Sequence, residues 1–390
     1  MALEYVCMKP TNSIYSGLPT TIFETMSQLA REYDAINLGQ GFPDTDGPED
    51  IRRLAADALM SRSNQYPPMA GVPELRQAVA RANGRFYGVD VDWRTEVLVT
   101  SGATEALSDT IAALIEPGDE VVLFEPLYDC YLPLLRRAGA VPRLVRLEPP
   151  DWQIDPEALA AAFTPRTKAV LVNDPLNPAA KALTTRELSV IASHVIANDA
   201  MAICDEVYEH IVFDGRTHTT MMSLPGMRER TVRIGSAGKT LSLTGWKVGY
   251  VTATARLLEP IAKAHQYTTF TTPPNLQLAV AAGLDKPDAY FHELVRDLEQ
   301  KRNRLSNGLA RLGFDVLEAA GSYFLVAGYG SSSDEPDTIF ARRMTVDVGV
   351  TTIPLSAFYE TPVSSRYVRF CFSKRDDVLD AAIERLASWP

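Results

Sequence analysis

Residues 235–250, GSAGKTLSLTGWKVGY, follow the short apolar run TVRI and set Lys239 and Lys247 eight positions apart among small residues. A lysine in that setting could cradle a nucleotide phosphate, carry a covalent cofactor, or be a solvated charge on a loop. The nucleotide loop GxxxxGK[ST] fails at its first position. GKT is present, but the first glycine would have to stand where the chain has Arg233, and Gly235 comes two residues too late to wrap a triphosphate. Solvation is the default for a lysine, yet this one follows a buried strand directly. What remains is an amine beneath a carbonyl cofactor, where burial lowers its pKa and permits Schiff-base chemistry.

Working outward, short apolar runs alternate with helical patterns between about residues 95 and 255. EVLVTSG runs into ATEALSDTIAALIEPGD, EVVLFEPLY into DCYLPLLRRAGA, and VPRLVRLEPP into DPEALAAAF. KAVLVNDP, TRELSVIASHVIAND, AMAICDEVY and TVRIGSAGK follow. Asp155 reads as an N-cap with Pro156 at the first helical position. Strands that are apolar throughout and separated by helices predict an α/β fold with a mostly parallel sheet buried on both faces. Past about residue 285 a long charged helix pattern leads into short strands and a terminal helix, which reads as a smaller α+β domain. The expected division is an N-terminal segment at 1–45 packing on the small domain, a large cofactor-binding domain at 46–285, and a small C-terminal domain at 286–390.

The bulk numbers exclude several classes. The 390 residues carry a net charge of −11, so attraction to nucleic acid or an anionic membrane is not expected. No run of eighteen apolar residues predicts a spanning helix, and the N-terminus has no basic start followed by an apolar core. Cys7, Cys130, Cys204 and Cys371 lie far apart and read as reduced thiols of a cytoplasmic protein. The five histidines show no metal-ligand spacing, so no metal is expected.

Ligands of open α/β sheets bind outside the carboxyl ends of the strands. Those ends carry Gly102-Ala103-Thr104, Tyr128, Asn177, Asp205 with Tyr208, and Ser236 with Lys239. TSGATEAL turns from strand to helix through small residues, leaving backbone N–H groups free to face an anion. Asp205, straight after a buried strand, needs a cationic or strongly donating partner. Taken singly, each has an ordinary reading as a turn, a cap or a core aromatic.

Together, SAGKTLSLTGWKVGY, INLGQGFPD, NQYPPMAGVPELRQAV, TSGATEAL, EPLYDCY, ICDEVYEHIVFDG and YVRFCFSK resemble the pyridoxal-phosphate-dependent class I/II aminotransferases of fold type I over nearly the whole chain. Within that family the chain is most similar to the kynurenine, glutamine and methionine transaminase branch. The resemblance implies a large domain with a mostly parallel seven-stranded sheet between helices, plus the smaller α+β domain. It implies pyridoxal 5'-phosphate, with Lys239 as the Schiff-base lysine and Lys239, Asp205 and Tyr208 as catalytic residues. Asp205 would pair with the ring nitrogen, Tyr208 and Asn177 with the phenolic oxygen, and Tyr128 would stack on the ring. Ala103, Thr104, Ser236 and Lys247 would hold the phosphate, joined by Tyr66 from the neighbouring subunit of a homodimer. Arg369 would grip the substrate carboxylate, with Gly39 supplying backbone, Asn177 a further contact, and Ile22 and Phe23 an apolar wall.

The implied activity is transfer of an amino group from a neutral, fairly large amino acid to a 2-oxo acid, with ping-pong kinetics. Cysteine-conjugate β-lyase and succinyldiaminopimelate transaminase are the rivals. A non-catalytic regulator is disfavoured, since the pattern begins by about residue 13 and the chain is acidic. Two departures stand out. Ala179-Ala180 replaces the common Thr-Gly after NDPLNP, and Thr271 stands where kynurenine-type relatives often have histidine. No second arginine for a dicarboxylic donor is evident.

Overall fold

Seven strands form one sheet in the order Val97–Thr100, Gly249–Thr252, Thr231–Ser236, Met201–Asp205, Thr167–Asn173, Glu120–Glu125, Val141–Arg146. The computed structural model describes residues 9–330 and 332–389, so the reading of Cys7 as a free thiol lies outside the described residues. Neighbours are parallel except at Gly249–Thr252, which runs antiparallel to both strands beside it. Side chains alternate between faces, and both faces are buried. Along Thr167–Asn173, Val170 and Val172 enter one apolar core while Ala169 and Leu171 enter another.

The connecting helices begin where their caps dictate. Asp155 accepts from the backbone N–H of Glu157, with Pro156 opening Pro156–Ala162. Thr184 and Glu187 form a capping box at the head of Thr185–Ala197. A second sheet, antiparallel, runs Ile353–Pro354, Tyr367–Cys371, Phe324–Gly328, Asp315–Val316. The segment before the large sheet joins this half of the chain, because Ile36–Asn37 pairs in parallel with Val350–Thr351. Among the described residues no helix is long and apolar enough to cross a membrane.

The residue that breaks the nucleotide-loop pattern has a structural job. Arg233 is buried in the strand Thr231–Ser236, where its Nε donates to Glu206 Oε2 at 2.6 Å and its other nitrogens reach Glu209 and Asn83. Thr220 also donates to Glu206, and Tyr87 and Tyr250 donate to Glu209. Burial alone would raise the Glu209 carboxyl, but Arg233 outweighs it and holds the group at about 2. Replacing one partner strands the others in a dry interior. Arg233→Met should therefore cost about 3–5 kcal/mol in urea unfolding. A change below about 0.5 kcal/mol, the scale of a surface substitution, would show that the cluster does not depend on this cation.

Candidate active site

The parallel strands end on one edge of the sheet, and a cleft of about 460 Å³ opens there. Ten residues singled out in the sequence line it together: Ala103, Thr104, Tyr128, Asn177, Asp205, Tyr208, Ser236, Lys239, Lys247 and Arg369. A larger open groove, about 1040 Å³, lies around residues 150–156 and 315–318 and holds none of them.

Asp205 ends the strand Met201–Asp205 and is buried. Its Oδ2 accepts from Tyr131 Oη at 2.7 Å, while Oδ1 is buried without a partner. Burial raises the carboxyl to about 6, opposed by the Tyr131 hydroxyl, the Val207 N–H and the Lys239 charge. The group is thus anionic at neutral pH with one oxygen free.

Lys239 sits in the short helix Ala237–Thr240, whose N-cap Ser236 accepts from Gly238 N at 3.2 Å. Its Nζ donates to Tyr323 Oη at 2.9 Å, and that hydroxyl in turn donates to the Gly41 carbonyl at 2.7 Å. Burial brings the Lys239 ammonium down to about 8 against the pull of Cys371 and Asp205, and the charges of Arg369 and Lys247 add to the effect. A substantial fraction of neutral amine is therefore present near pH 8.

The helix Gly102–Leu114 points its N-terminus into the cleft, so its first backbone N–H groups and its dipole face an anion there. Lys247, at φ 54° after the turn Thr244–Trp246, lies against Gly102, where an added Cβ would come 3.2 Å from the lysine Cε. Gly249 is a space requirement, since a Cβ there would come 2.6 Å from the Gly102 carbonyl carbon.

Arg369 is buried in the strand Tyr367–Cys371. One terminal nitrogen donates to Asn177 Oδ1 at 2.7 Å and the other to the Gly39 carbonyl at 2.6 Å. Nε has no partner, and the guanidinium lies 3.9 Å from the Phe324 ring centre. Burial pulls its pKa down to about 10, so it stays charged. It is the one arginine among the described residues that line the cleft. Gly39 thus acts through its carbonyl behind the arginine. Tyr208 stands edge-on to Tyr323 at 5.1 Å, and burial raises its hydroxyl above the usual phenol range.

Ile22 and Tyr66 are the two expected side-chain contacts that do not line this chain's cleft. Phe23 and Thr21 line the cleft and Ile22 does not, though both Ile22 and Phe23 pack against the core. Successive helical residues point about 100° apart, and here the turn that brings Phe23 to the cleft carries Ile22 past its rim. Tyr66 is 82% exposed, edge-on to Phe270 at 5.4 Å, and lies outside its own chain's cleft. Ala180 takes the φ of 58° that glycine would adopt without strain, and its carbonyl still accepts from Ala320 and Gly321. Sequence reasoning missed Tyr131, Tyr323, Phe324 and Asn173. Only Tyr131 left a signal, three residues after Tyr128 at the start of a helix.

With this geometry in view, the family model for "Aminotransferase class I and II" matches residues 33–386. A probable N-succinyldiaminopimelate aminotransferase from Mycobacterium tuberculosis is 43% identical over 379 residues, covering 94% of this chain and 96% of the relative. Kynurenine–oxoglutarate transaminase 3 from mouse is 38% identical over 403 residues, covering 96% and 89%. A solved Escherichia coli structure, described with a methionine aminotransferase function, aligns with a TM-score of 0.95 at 39% identity, covering 98% of this chain and all of that one.

Tyr131→Phe removes a donor from the Asp205 carboxylate, so the Asp205 pKa should rise above about 6, by roughly one unit. A carbon-13 titration of the Asp205 carboxyl in the cofactor-free protein reads the midpoint directly. An unmoved midpoint would mean that Tyr131 does not hold the charged form.

Proposed function

This chain belongs to the class I and II aminotransferases, enzymes that use pyridoxal 5'-phosphate, and on that premise we propose that it moves the amino group of a neutral, fairly large L-amino acid to a 2-oxo acid. The observation that carries the donor class is the single buried arginine among the described residues of the cleft, with Phe23, Phe42 and Phe324 beside it. That arginine answers the α-carboxylate common to all amino acids, and among the described residues no second guanidinium lines the cleft for a side-chain carboxylate. Methionine, glutamine, aromatic and kynurenine-like donors fit. Succinyldiaminopimelate is the second reading, favoured by the Mycobacterium relative's name.

The residues present suit the cofactor. Asp205 Oδ1 is a buried acceptor without a donor, and Lys247 with the start of Gly102–Leu114 forms a cationic cradle for a phosphate. When bound, pyridoxal phosphate supplies a carbonyl for the amino group and a ring that draws electrons from the donor Cα. Asp205 would hold a proton on the ring nitrogen through its free oxygen, while Asn177 and Tyr208 would donate to the phenolic oxygen. Tyr128 would lie against the ring, and Ala103, Thr104, Ser236 and Lys247 would bind the phosphate. Arg369, charged and fixed by Asn177 and Gly39, orients the donor by its carboxylate. Lys239 would hold the cofactor's carbonyl until the donor amine displaces it, and its freed Nζ, whose pKa burial brings to about 8, would then take the proton from the donor Cα and later return it.

Homodimer assembly belongs to the same proposal, with the exposed Tyr66 completing the neighbour's phosphate site. So do a cytoplasmic location and the division of the chain near residues 45 and 285. The pairing of Ile36–Asn37 with Val350–Thr351 supports placing the N-terminal segment with the small domain.

Single amino acids mixed with the holoenzyme, without acceptor, should bleach the yellow chromophore for neutral donors and leave it intact for aspartate. Release of pyruvate and ammonia from a cysteine conjugate as the main reaction would instead indicate a lyase. Lys239→Ala should lower turnover by about a thousandfold or more. Full activity in that variant refutes the proposed proton path. Sedimentation should give a dimer, and a fully active monomer would remove Tyr66 from the site.

A further inference from the structure

Outside the cleft, a second buried cluster of titratable groups lies beyond the one around Arg233. His265, in the last turn of the helix Ala255–Thr268, is buried against Glu105 and Asp109. Its Nδ1 lies 2.8 Å from Glu105 Oε1 and 3.6 Å from Asp109 Oδ2. Its Nε2 lies 3.2 Å from the Met69 carbonyl oxygen. A carbonyl can only accept, so Nε2 carries a proton. Nδ1 faces two carboxylates, so a proton stands there as well and the ring is an imidazolium. Asp109 is fully buried and neither of its oxygens has a hydrogen-bond partner, which leaves the adjacent cation to offset its charge.

The cluster sits behind the cleft at a telling place. Glu105 lies in the first turn of Gly102–Leu114, the helix whose opening residues face the proposed phosphate site. Its second oxygen accepts the backbone N–H of Ser101, the N-cap residue. A carboxylate in that turn, left uncompensated, competes with a second anion for the same helix end. The imidazolium removes the conflict and pins the turn. Through Met69 it also ties down the loop that carries Tyr66.

We propose that His265 is a positioning residue for the cofactor phosphate, neutralising Glu105 and holding the backbone donors of residues 101–104 in place. The inference rests on the phosphate reading of that helix start and of Lys247. Burial would lower the ring's pKa, but Asp109 and Glu105 outweigh it and raise it to about 9. The cation is therefore present at neutral pH and lost as pH rises through about 9.

The probe is pyridoxamine 5'-phosphate, which has no covalent bond to the chain. Holoenzyme treated with excess amino donor and no acceptor is ultrafiltered, and release is followed by fluorescence. His265→Asn should release the probe about tenfold faster than wild type at pH 7, the upper range of a charge effect at a helix end. Wild-type release should quicken as pH passes about 9, and the variant should show no such step. Adding Glu105→Gln to His265→Asn should restore retention, because the competing charge is gone, while the donor KM stays unchanged throughout. Wild-type release that is flat across pH 9, an unchanged rate in His265→Asn, or no recovery in the double variant overturns the proposal. Lys247→Ala separates the two levels. Faster release in Lys247→Ala with none in His265→Asn sinks only the role of His265, whereas no change in Lys247→Ala sinks the phosphate reading. Should His265→Asn fail to fold, the wild-type pH arm decides alone.

Discussion

One run of hydrogen bonds joins the central sheet to the buried arginine, and the site depends on it. Asn173 Nδ2 donates to the Asp205 carbonyl at 2.9 Å, and Asn173 Oδ1 accepts from Asn177 N at 2.8 Å. Asn177 Oδ1 then accepts from Arg369, which donates onward to Gly39, whose own N–H is held by Asn37 Oδ1 at 2.9 Å. Strand ends of the large sheet, a strand of the small sheet and the N-terminal segment are thereby fixed to one another. Each member is buried or half-buried, so breaking any link leaves a polar group without water to replace its partner.

The same edge of the sheet separates two kinds of buried charge. Asp205 faces the cleft with one oxygen open, and its neighbour Glu206 turns the other way into full pairing with Arg233 and Thr220. His218 lies 3.2 Å from Glu206 and 3.4 Å from Asp174, so it bridges the loops after two adjacent strands. Satisfied charge behind the sheet makes a rigid floor, and unsatisfied charge in front makes a reactive one. Lys239, held by Tyr323 and brought down to about 8 by burial, stands on the same front.

Much of this architecture is legible in the amino-acid sequence. The apolar runs place the strands because both sheet faces are buried, and the strand-end rule then collects Asn177, Asp205 and Lys239 as one set. Asp155 as a cap is equally readable, since capping is a local interaction. What escapes are contacts made across the chain. Tyr131, Tyr323 and Asn173 read as ordinary core or loop residues, because nothing local says that their polar ends meet Asp205, Lys239 and Asn177. Ile22 fails for a related reason. Hydrophobicity alone does not tell which of two neighbours on a helix faces a cleft, and here Phe23 does. The resemblance to a known family supplies the roles, which spacing cannot.

Asn173 works through Arg369, by fixing Asn177 and with it the guanidinium, and the integrity of the site rests on that coupling. A double-mutant cycle of Asn173→Ala and Arg369→Lys on kcat/KM for the amino donor tests it most directly. Each single change should raise the donor KM by about tenfold or more, and the double variant should be little worse than Arg369→Lys alone. Effects that simply add, or an Asn173→Ala enzyme with wild-type KM, would contradict it.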